Sequence, residues 1–245
     1  MIVGIVLIAL MIGLRYEVGA DWKAYKLLFS YAGLADIDRM VRIGDPGYQA
    51  LSWSARRIGA EIWLVNLIGA AIFSWGLLRL ARAQPNPWLA ILVAVPYLVT
   101  VVAMGYTRQA IAIGILMAGL AAVQKDASTL RFAMYIGVAA LFHKTAVVVL
   151  PLVVFSSEKN RLVNMLGGAL TIYMFYTSFL ADSVDKFVRN YIEAEYSSQG
   201  AAIRVAMNLV PAAVFFFVRN RLGFGEREAR IWFFHSVAAF ALLVL

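Results

Sequence analysis

The sequence contains no cysteine and only two histidines among its 245 residues. Disulfide frameworks and thiolate metal sites are therefore excluded, and two imidazoles are too few for a histidine-rich metal site. Charged residues make up only 15% of the chain, whereas a soluble domain carries about 25%. The chain lacks the polar surface of a cytosolic enzyme, and its 62% of hydrophobic residues predicts an integral membrane protein with several spans.

The sequence also lacks the short motifs of several enzyme classes. It has no GxGxxG or GxxxxGK[ST] element for nucleotide phosphates, no HExxH zinc motif and no GxSxG nucleophile elbow. The formal net charge of +8 does not indicate nucleic-acid binding, because the basic residues stand singly or in pairs beside apolar runs and form no basic stripe. We therefore expect no metal, no cofactor and no nucleic acid.

Apolar runs that approach the ~20 residues of a membrane-crossing helix recur along the whole chain. They predict one all-α transmembrane domain over residues 1–245, a polytopic helical bundle with about eight spans or half-spans. The first run is short and the last ends within apolar sequence, so we expect a longer parent chain, truncated here at one or both ends. In order, the runs are Met1–Leu14, Glu61–Leu80, Trp88–Met104, Thr107–Val123, Ser128–Phe155, Leu162–Leu180, Ile203–Val218 and Ile231–Leu245.

The run Ser128–Phe155 is either one long span or two short helices that meet at His143 and Lys144. A lysine at the bilayer midplane costs roughly 2.5–3.5 kcal/mol on insertion scales. That cost favours the two short helices, with His143 and Lys144 at their junction near the membrane interface.

The distribution of basic residues predicts which loops face the cytoplasm. With the junction at His143, the short loops on one side are rich in Lys and Arg, which is the pattern of cytoplasmic loops. The other side receives two longer outer loops, 15–60 and 181–204, as well as the Arg108 turn and the His143 junction. The basic residues assigned to the cytoplasmic side are Arg79, Arg82, Lys125, Arg131, Lys159, Arg161, Arg219, Arg221, Arg227 and Arg230.

The first outer loop is predicted to contain two amphipathic helices. Asp21 is a good N-cap for a helix that carries Trp22, Tyr25 and Phe29 on one face and ends at Gly33. One-sided helices with aromatic anchors lie in the membrane interface. Whether this helix is only an anchor or also forms part of a site is left open by the pattern.

The second helix of that loop begins at Asp45 and Pro46, an N-cap followed by proline at the first helical position. Its apolar stripe includes Tyr48, and Gly59 is its predicted stop. The same two readings, anchor or site, apply to it.

Arg108 is the most informative polar residue, because it opens an apolar run on the side where basic residues should be sparse. A helix N-terminus presents free N–H groups and the positive end of the helix dipole, so an arginine there favours an anion such as a phosphate. The alternative is an arginine that reaches lipid phosphates from the end of a span. Small residues recur every four positions behind it, which predicts close approach of a neighbouring helix; they are Ala110, Gly114, Ala118 and Ala122.

Further ionisable residues fall at the same predicted face. Arg15, His143, Lys144 and Arg204 join Arg108 there, each at the end of a helical element, and such residues within a bundle are functional by default. The alternative for His143 and Lys144 is a simple interfacial cap. Glu17 and Asp21 are the nearby carboxylates, and either of them is a possible base.

The order of four short patches resembles the EpsG-like family of Wzy-type bacterial polysaccharide polymerases. No single patch is specific, but the ordered set covers about residues 15 to 205. Asp45 stands where glutamate is more common in that family. The patches are Arg15-Tyr16 with Gly19-Ala20-Asp21-Trp22 and Asp45-Pro46-Gly47-Tyr48, then Arg108-Gln109-Ala110-Ile111-Ala112, then Phe142-His143-Lys144-Thr145-Ala146, and Ser198-Gln199-Gly200 with Arg204.

The resemblance implies a GT-C-like, metal-independent glycosyltransferase of the bacterial inner membrane, multi-pass, which makes exopolysaccharide, capsule or O-antigen. Its substrates would be oligosaccharide repeat units on undecaprenyl diphosphate at the outer leaflet. A chain-length regulator and a flippase of the same pathway would be its protein partners. A flippase or transporter for the same glycan and an O-antigen ligase are the alternatives.

Residue roles follow from the resemblance and the charge pattern together. The leaving diphosphate needs fixed guanidinium groups, for which we expect Arg108 and Arg204. The acceptor hydroxyl needs a proton acceptor, for which His143 and Asp21 remain open. The expected supporting residues for substrate binding are Arg15, Glu17, Gln109 and Lys144, with Trp22, Tyr25 and Tyr48 as possible sugar-stacking rings.

Overall fold

The computed structural model describes residues 1–19, 21–34, 36–126, 129–149, 169, 173 and 201–241. It divides into two units, Met1–Val147 and Val148–Leu245, each considered by itself. Every regular element in the described residues is helical, which confirms the all-α prediction for that part of the chain. The second outer loop, 181–204, and the predicted span Leu162–Leu180 lie almost entirely outside the described residues.

The first unit consists of eight α-helices joined by short connections. The helix α6 continues directly as a π-helix, Val95–Ala103, and a 3-10 helix, Lys144–Val149, follows α8. The α-helices are α1 (Ile2–Gly13), α2 (Trp22–Ala32), α3 (Ile37–Ile43), α4 (Pro46–Arg57), α5 (Ile62–Arg82), α6 (Pro87–Ala94), α7 (Thr107–Asp126) and α8 (Thr129–Phe142).

The second unit contributes two described helices, α9 (Ala201–Val218) and α10 (Glu226–Ala241), with a 3-10 turn, Arg219–Arg221, after α9. These two helices pack on each other, and Phe216 of α9 lies edge-on to Phe233 of α10 at 5.7 Å between ring centroids. They coincide with two of the predicted apolar runs.

Two described helices, Ile62–Arg82 and Thr107–Gln124, are long and apolar enough to cross a membrane. Shorter apolar helices occupy Ile2–Gly13, Pro87–Ala103 and Arg131–Phe142. The polytopic bundle with about eight spans and its GT-C-like character stay predictions.

The packing of α5 against α7 forms the centre of the first unit. Gly76 and Gly114 meet at the crossing, where a Cβ on Gly76 would lie only 1.8 Å from the Gly114 carbonyl oxygen. Ala110 and Ala118, on the same stripe of α7, are fully buried. The predicted small-residue ladder is therefore a close helix contact, which fixes the direction of α7 and the place where that helix begins.

Both predicted outer-loop helices are present. The first is α2, which begins after Asp21 and ends before Gly33, and the second is α4, which begins at Pro46 and ends before Gly59. The aromatic face of α2 is buried in the protein, and α4 packs on α2, α5 and α8. The short helix α3 between them is absent from the sequence-based prediction.

The predicted junction within the run Ser128–Phe155 is confirmed for the described residues of that run, 129–149. Helix α8 ends at Phe142, His143 is outside regular structure, and the 3-10 helix begins at Lys144. The bend places His143 at the end of α8 nearest to the start of α4, where Asp45 lies within reach.

Candidate functional site

The side chain of Asp45 is the centre of a cluster of charged residues at one end of the first unit. Only 6% of this side chain is exposed. Its Oδ2 accepts a 2.9 Å hydrogen bond from Nη1 of Arg108, and its Oδ1 accepts a 3.3 Å bond from the backbone N–H of Lys144. Nδ1 of His143 lies 4.0 Å from Oδ2. One carboxylate thus joins the starts of α4 and α7 to the end of α8.

The backbone of α4 approaches α8 closely enough for these contacts because Gly47 follows Pro46. A Cβ on Gly47 would lie 3.0 Å from the carbonyl oxygen of Leu141, so a larger residue would press against the end of α8. Asp45 occupies the N-cap position of α4, but its side chain makes no capping hydrogen bond to that helix. Its oxygens are instead directed to Arg108 and Lys144, which explains why the residue functions as a link and not as a cap.

The guanidinium of Arg108 is held from two sides. Besides Asp45, the ring of Tyr25 lies beneath it, with Cζ 5.5 Å from the ring centroid. The backbone N–H of Arg108 points to the Tyr25 hydroxyl at 3.5 Å. Its Nε is buried and has no hydrogen-bond partner among the described residues, but the side chain as a whole remains 30% exposed. Arg108 is therefore fixed in place, and the exposed part of its guanidinium can donate to a further anion.

The electrostatics of the cluster favour an ionised Asp45. Burial by itself would raise the pKa of this carboxyl, but the neighbouring His143, the charge of Arg108 and the Lys144 N–H together lower it below its ordinary value. Burial raises the pKa of the Tyr25 and Tyr48 hydroxyls, which stay neutral. The cluster thus combines a stable carboxylate, a guanidinium and neutral phenols.

Arg15 forms a second, deeper cluster beside the first. Its guanidinium donates to the carbonyl oxygen of Ile12 at 2.9 Å, to Oγ1 of Thr107 and, at 3.4 Å, to Oδ1 of Asn66. Thr107 in turn donates to Asn66 at 3.1 Å. Only 7% of Arg15 is exposed, and burial lowers the pKa of its guanidinium. Because Thr107 precedes Arg108, this network supports the start of α7 from inside the protein.

Among the residues predicted as catalytic, Arg108 and His143 both lie beside Asp45, whereas Asp21 is linked to this cluster through Tyr25. Asp21 immediately precedes α2 and is half-buried. Its charge acts on the Tyr25 hydroxyl. The two candidate bases therefore have different neighbours: His143 lies beside the carboxylate of Asp45, and Asp21 lies near the Tyr25 hydroxyl.

The predicted substrate-binding residues differ in where they lie. Lys144 and Gln109 are half-buried beside His143 and Arg108, and Glu17 is exposed, with a backbone φ of 53°. Trp22 and Tyr25 are 8% and 3% exposed, and this burial favours a packing role for both rings. Arg204 lies in α9, but its side chain is outside the described part of the structure.

Three residues of this region were not predicted as functional, namely Asp45, Asn66 and Thr107. The signal for Asp45 was available, because an acidic residue begins a helix on the same predicted face as Arg108. Asn66 and Thr107 are polar residues at the starts of the two long apolar helices, a position that sequence reasoning treats as an ordinary helix boundary. Only the structure shows that both of them bind the guanidinium of Arg15.

An acidic pair with D-x-D spacing, Asp36 and Asp38, lies at the start of α3, and both side chains are exposed. Such pairs chelate metal in some glycosyltransferases, so its surroundings matter. Within the described ranges, no group of three or more His, Cys, Asp or Glu residues comes together to hold a metal ion.

Taken together, the two long apolar helices and the helical segment between α1 and α5, with its charged cluster, are consistent with a helical membrane protein. The model of the EpsG family matches residues 1–245, so the chain belongs to the EpsG family. No curated protein matches the chain, and no solved structure matches it. Membership of this family indicates a membrane protein of polysaccharide biosynthesis.

Proposed function

We propose that the protein is a glycosyltransferase that polymerises undecaprenyl-diphosphate-linked oligosaccharide repeat units at the outer face of the bacterial inner membrane. The growing chain moves from its lipid diphosphate to the non-reducing end of a new unit. The observation that carries the proposal is the guanidinium of Arg108, which is fixed by Asp45 and Tyr25 at the start of a membrane-length helix.

The chemistry of the donor explains why a fixed arginine is suitable. A lipid diphosphate is already a good leaving group, so the protein has mainly to stabilise the negative charge that develops on it. Preorganised donors do this at no reorganisation cost during the reaction. The side chain of Arg108 remains 30% exposed, and its position at the start of α7 adds the positive end of the helix dipole.

The charge balance of the two clusters also favours an anionic ligand. Arg15 is held by neutral groups and Arg108 is paired with Asp45, so two guanidinium groups share one carboxylate among the residues that the contacts described above connect. A buried excess of positive charge is unfavourable in the absence of a counter-ion. A bound diphosphate would supply that counter-ion, with Arg204 as a further proposed clamp.

This mechanism needs no metal ion, since guanidinium and helix N–H groups take over the stabilisation of the leaving group. Pathway partners, a chain-length regulator and a flippase, are part of the same proposal, as is the multi-pass arrangement in the inner membrane. Arg15 supports the site by holding Thr107, and Lys144 contributes through its backbone N–H and its charge.

Analysis of a strain that lacks this gene tests the function directly. Lipid-linked oligosaccharide and surface glycan are extracted and sized, with the leaflet of the lipid-linked species determined by an impermeant reagent. Single repeat units that accumulate on lipid at the outer leaflet are the expected result. Full-length polymer retained on lipid would instead mean a ligase, and units trapped at the inner leaflet would mean a flippase; either result overturns the proposal.

A further inference from the structure

The Asp45 carboxylate is the acidic group that faces His143 within the described residues, and this pairing assigns a role to both. Nδ1 of His143 has no hydrogen-bond partner there, and the atom opposite it at 4.0 Å is Oδ2 of Asp45. We propose, on the basis of the proposed function, that Asp45 is a positioning residue that keeps the His143 ring with Nδ1–H towards the carboxylate. Nε2 of His143 is then the atom that accepts the proton of the acceptor hydroxyl.

The geometry near Asp45 supports a fixed orientation of that carboxylate. Oδ1 is held by the Lys144 backbone N–H, and Oδ2 by Arg108, so neither oxygen rotates freely. A carboxylate oxygen accepts more than one hydrogen bond, and Oδ2 therefore retains capacity for the imidazole. The 4.0 Å separation is longer than a hydrogen bond, and such contacts commonly shorten when substrate binds.

The exposure of His143 fits this assignment. Its side chain is 24% exposed, against 6% for Asp45, so one edge of the ring faces the buried carboxylate while part of the ring is accessible. The charged group that faces the ring in the described contacts is Asp45 at the start of α4. That carboxylate in turn holds Arg108 of α7 and the backbone N–H of Lys144.

The proposed step balances as an ordinary displacement. The acceptor hydroxyl oxygen forms a bond to the anomeric carbon of the donor sugar, while the bond from that carbon to the diphosphate oxygen breaks. The electron pair of the broken bond leaves with the diphosphate beside Arg108, and the hydroxyl proton passes to Nε2 of His143. The carboxylate of Asp45 stabilises the imidazolium that results, as an oriented second group does for histidine bases in general.

The tautomer of His143 can be measured without any substrate, because the chain has only two histidines. His235→Gln leaves His143 as the single imidazole, and nitrogen NMR of the histidine-labelled full chain in lipid bilayers at alkaline pH reports which ring nitrogen carries the proton. We expect the Nδ1–H form to predominate. Asp45→Ala should shift the population towards the free-imidazole mixture, and Asp45→Glu should restore it. A population unaffected by Asp45→Ala would overturn the assignment.

Turnover measurements test the same pair by its effect on catalysis. With lipid-linked units extracted from the deletion strain as substrate, Asp45→Ala and His143→Gln should each lower kcat by about 100- to 10,000-fold, with KM little changed. The double variant should lose less than the product of the two single effects, because the shared contribution of His143 is lost only once, while the loss of the Asp45–Arg108 bond remains separate. Asp45→Glu should recover much of the rate, which a merely unfolded Asp45→Ala protein would not predict.

Asp38→Asn is the matched control, because Asp38 is exposed in the first turn of α3, and we expect it to retain the wild-type kcat. A large loss with Asp21→Asn and a small one with Asp45→Ala would assign the base to Asp21 and overturn the proposal. Multiplicative effects of Asp45→Ala and His143→Gln would also overturn it, because the two residues would then act independently. If the deletion strain reveals a ligase or flippase, the proposed function fails, but the NMR result still decides the pairing.

Discussion

Arg15 and Arg108 of the first unit show that the same type of side chain is stabilised in two different ways. Arg15 is 7% exposed and is held by a backbone carbonyl, an amide and a hydroxyl. Arg108 is 30% exposed and is paired with the carboxylate of Asp45. Neutral dipoles around a deeply buried cation fix helix ends in place, whereas an ion pair that remains partly accessible can exchange contacts with a substrate.

From this difference we expect a structural role for Arg15 and a role in the reaction for Arg108. Arg15 acts on the start of α7 through Thr107, and Arg108, one residue later, presents its guanidinium to the cluster. The arrangement predicts that changes at Arg15 affect stability first and changes at Arg108 affect turnover first.

Of the changes that test this comparison, Arg108→Ala has the largest expected effect. Removal of one preorganised donor to a developing oxyanion costs about 100- to 1,000-fold in kcat, so polymer should be nearly absent while the protein is still inserted in the membrane. Glycan length in the complemented deletion strain, with membrane abundance measured in parallel, checks this. Arg57→Ala is the control, because Arg57 is exposed and stacks on Trp53 away from Asp45; polymer of normal length is expected there.

The next effect tests the helix crossing that supports both arginines. Gly76→Ala places a Cβ 1.8 Å from the Gly114 carbonyl oxygen, and overpacking of this kind costs typically 1–3 kcal/mol, occasionally more. Thermal unfolding in detergent should show a clearly lower midpoint. Gly137→Ala is matched in chemistry, but its Cβ meets nothing within 4 Å, so its midpoint should stay level or rise. Equal behaviour of the two variants would contradict the close contact.

Replacement of Arg15 by leucine tests whether Arg15 has a structural role that differs from the role of Arg108. The oxygens of Thr107 and Asn66 lose a donor inside the protein, which costs about 1–3 kcal/mol for an unsatisfied buried group. We expect a lower unfolding midpoint and a fall in turnover much smaller than that of Arg108→Ala. A stable Arg15→Leu protein with turnover as low as that of Arg108→Ala would mean that Arg15 contacts the substrate.

The smallest expected effect is a pH dependence of stability. The pKa of Asp45 is lower in the folded chain than its ordinary value, so the stabilisation is fully present above the ordinary aspartate pKa of ~3.9 and is lost as the pH falls through the folded value. The difference in unfolding stability between wild type and Asp45→Asn should therefore be constant near neutrality and shrink in acid. A difference that grows on acidification would contradict the ionised state of Asp45.

Much of the helical framework could be predicted from the sequence, because it depends on local signals. Asp21 and Gly33 flank α2 and Pro46 begins α4 at the predicted positions, although the Asp21 side chain makes no capping hydrogen bond and Gly33 has a right-handed backbone. The small-residue repeat of α7 correctly indicated a close helix contact, since spacing of four along a helix is a property of the sequence itself.

The roles of Asp45 and Arg15 could not be predicted in the same way. The Arg108–Asp45 bond joins residues 63 positions apart, and the Arg15–Thr107 bond joins residues 92 apart. Contacts between residues so far apart in sequence depend on tertiary packing. A shift of α7 by one turn would bring different side chains together. The π-helix Val95–Ala103 also escaped prediction, because its sequence reads as an ordinary apolar span.

The central claim, that the Arg108 cluster faces the outside of the cell and binds a lipid diphosphate, is tested most directly by protection of a single cysteine. The chain has no cysteine of its own, so Thr145→Cys, at an exposed position beside His143, introduces a unique label. A membrane-impermeant maleimide added to whole cells should label this cysteine. Undecaprenyl diphosphate should slow the labelling when Arg108 is present but not when the protein also carries Arg108→Ala. Labelling only from the cytoplasmic side, or equal protection in both proteins, would contradict the account.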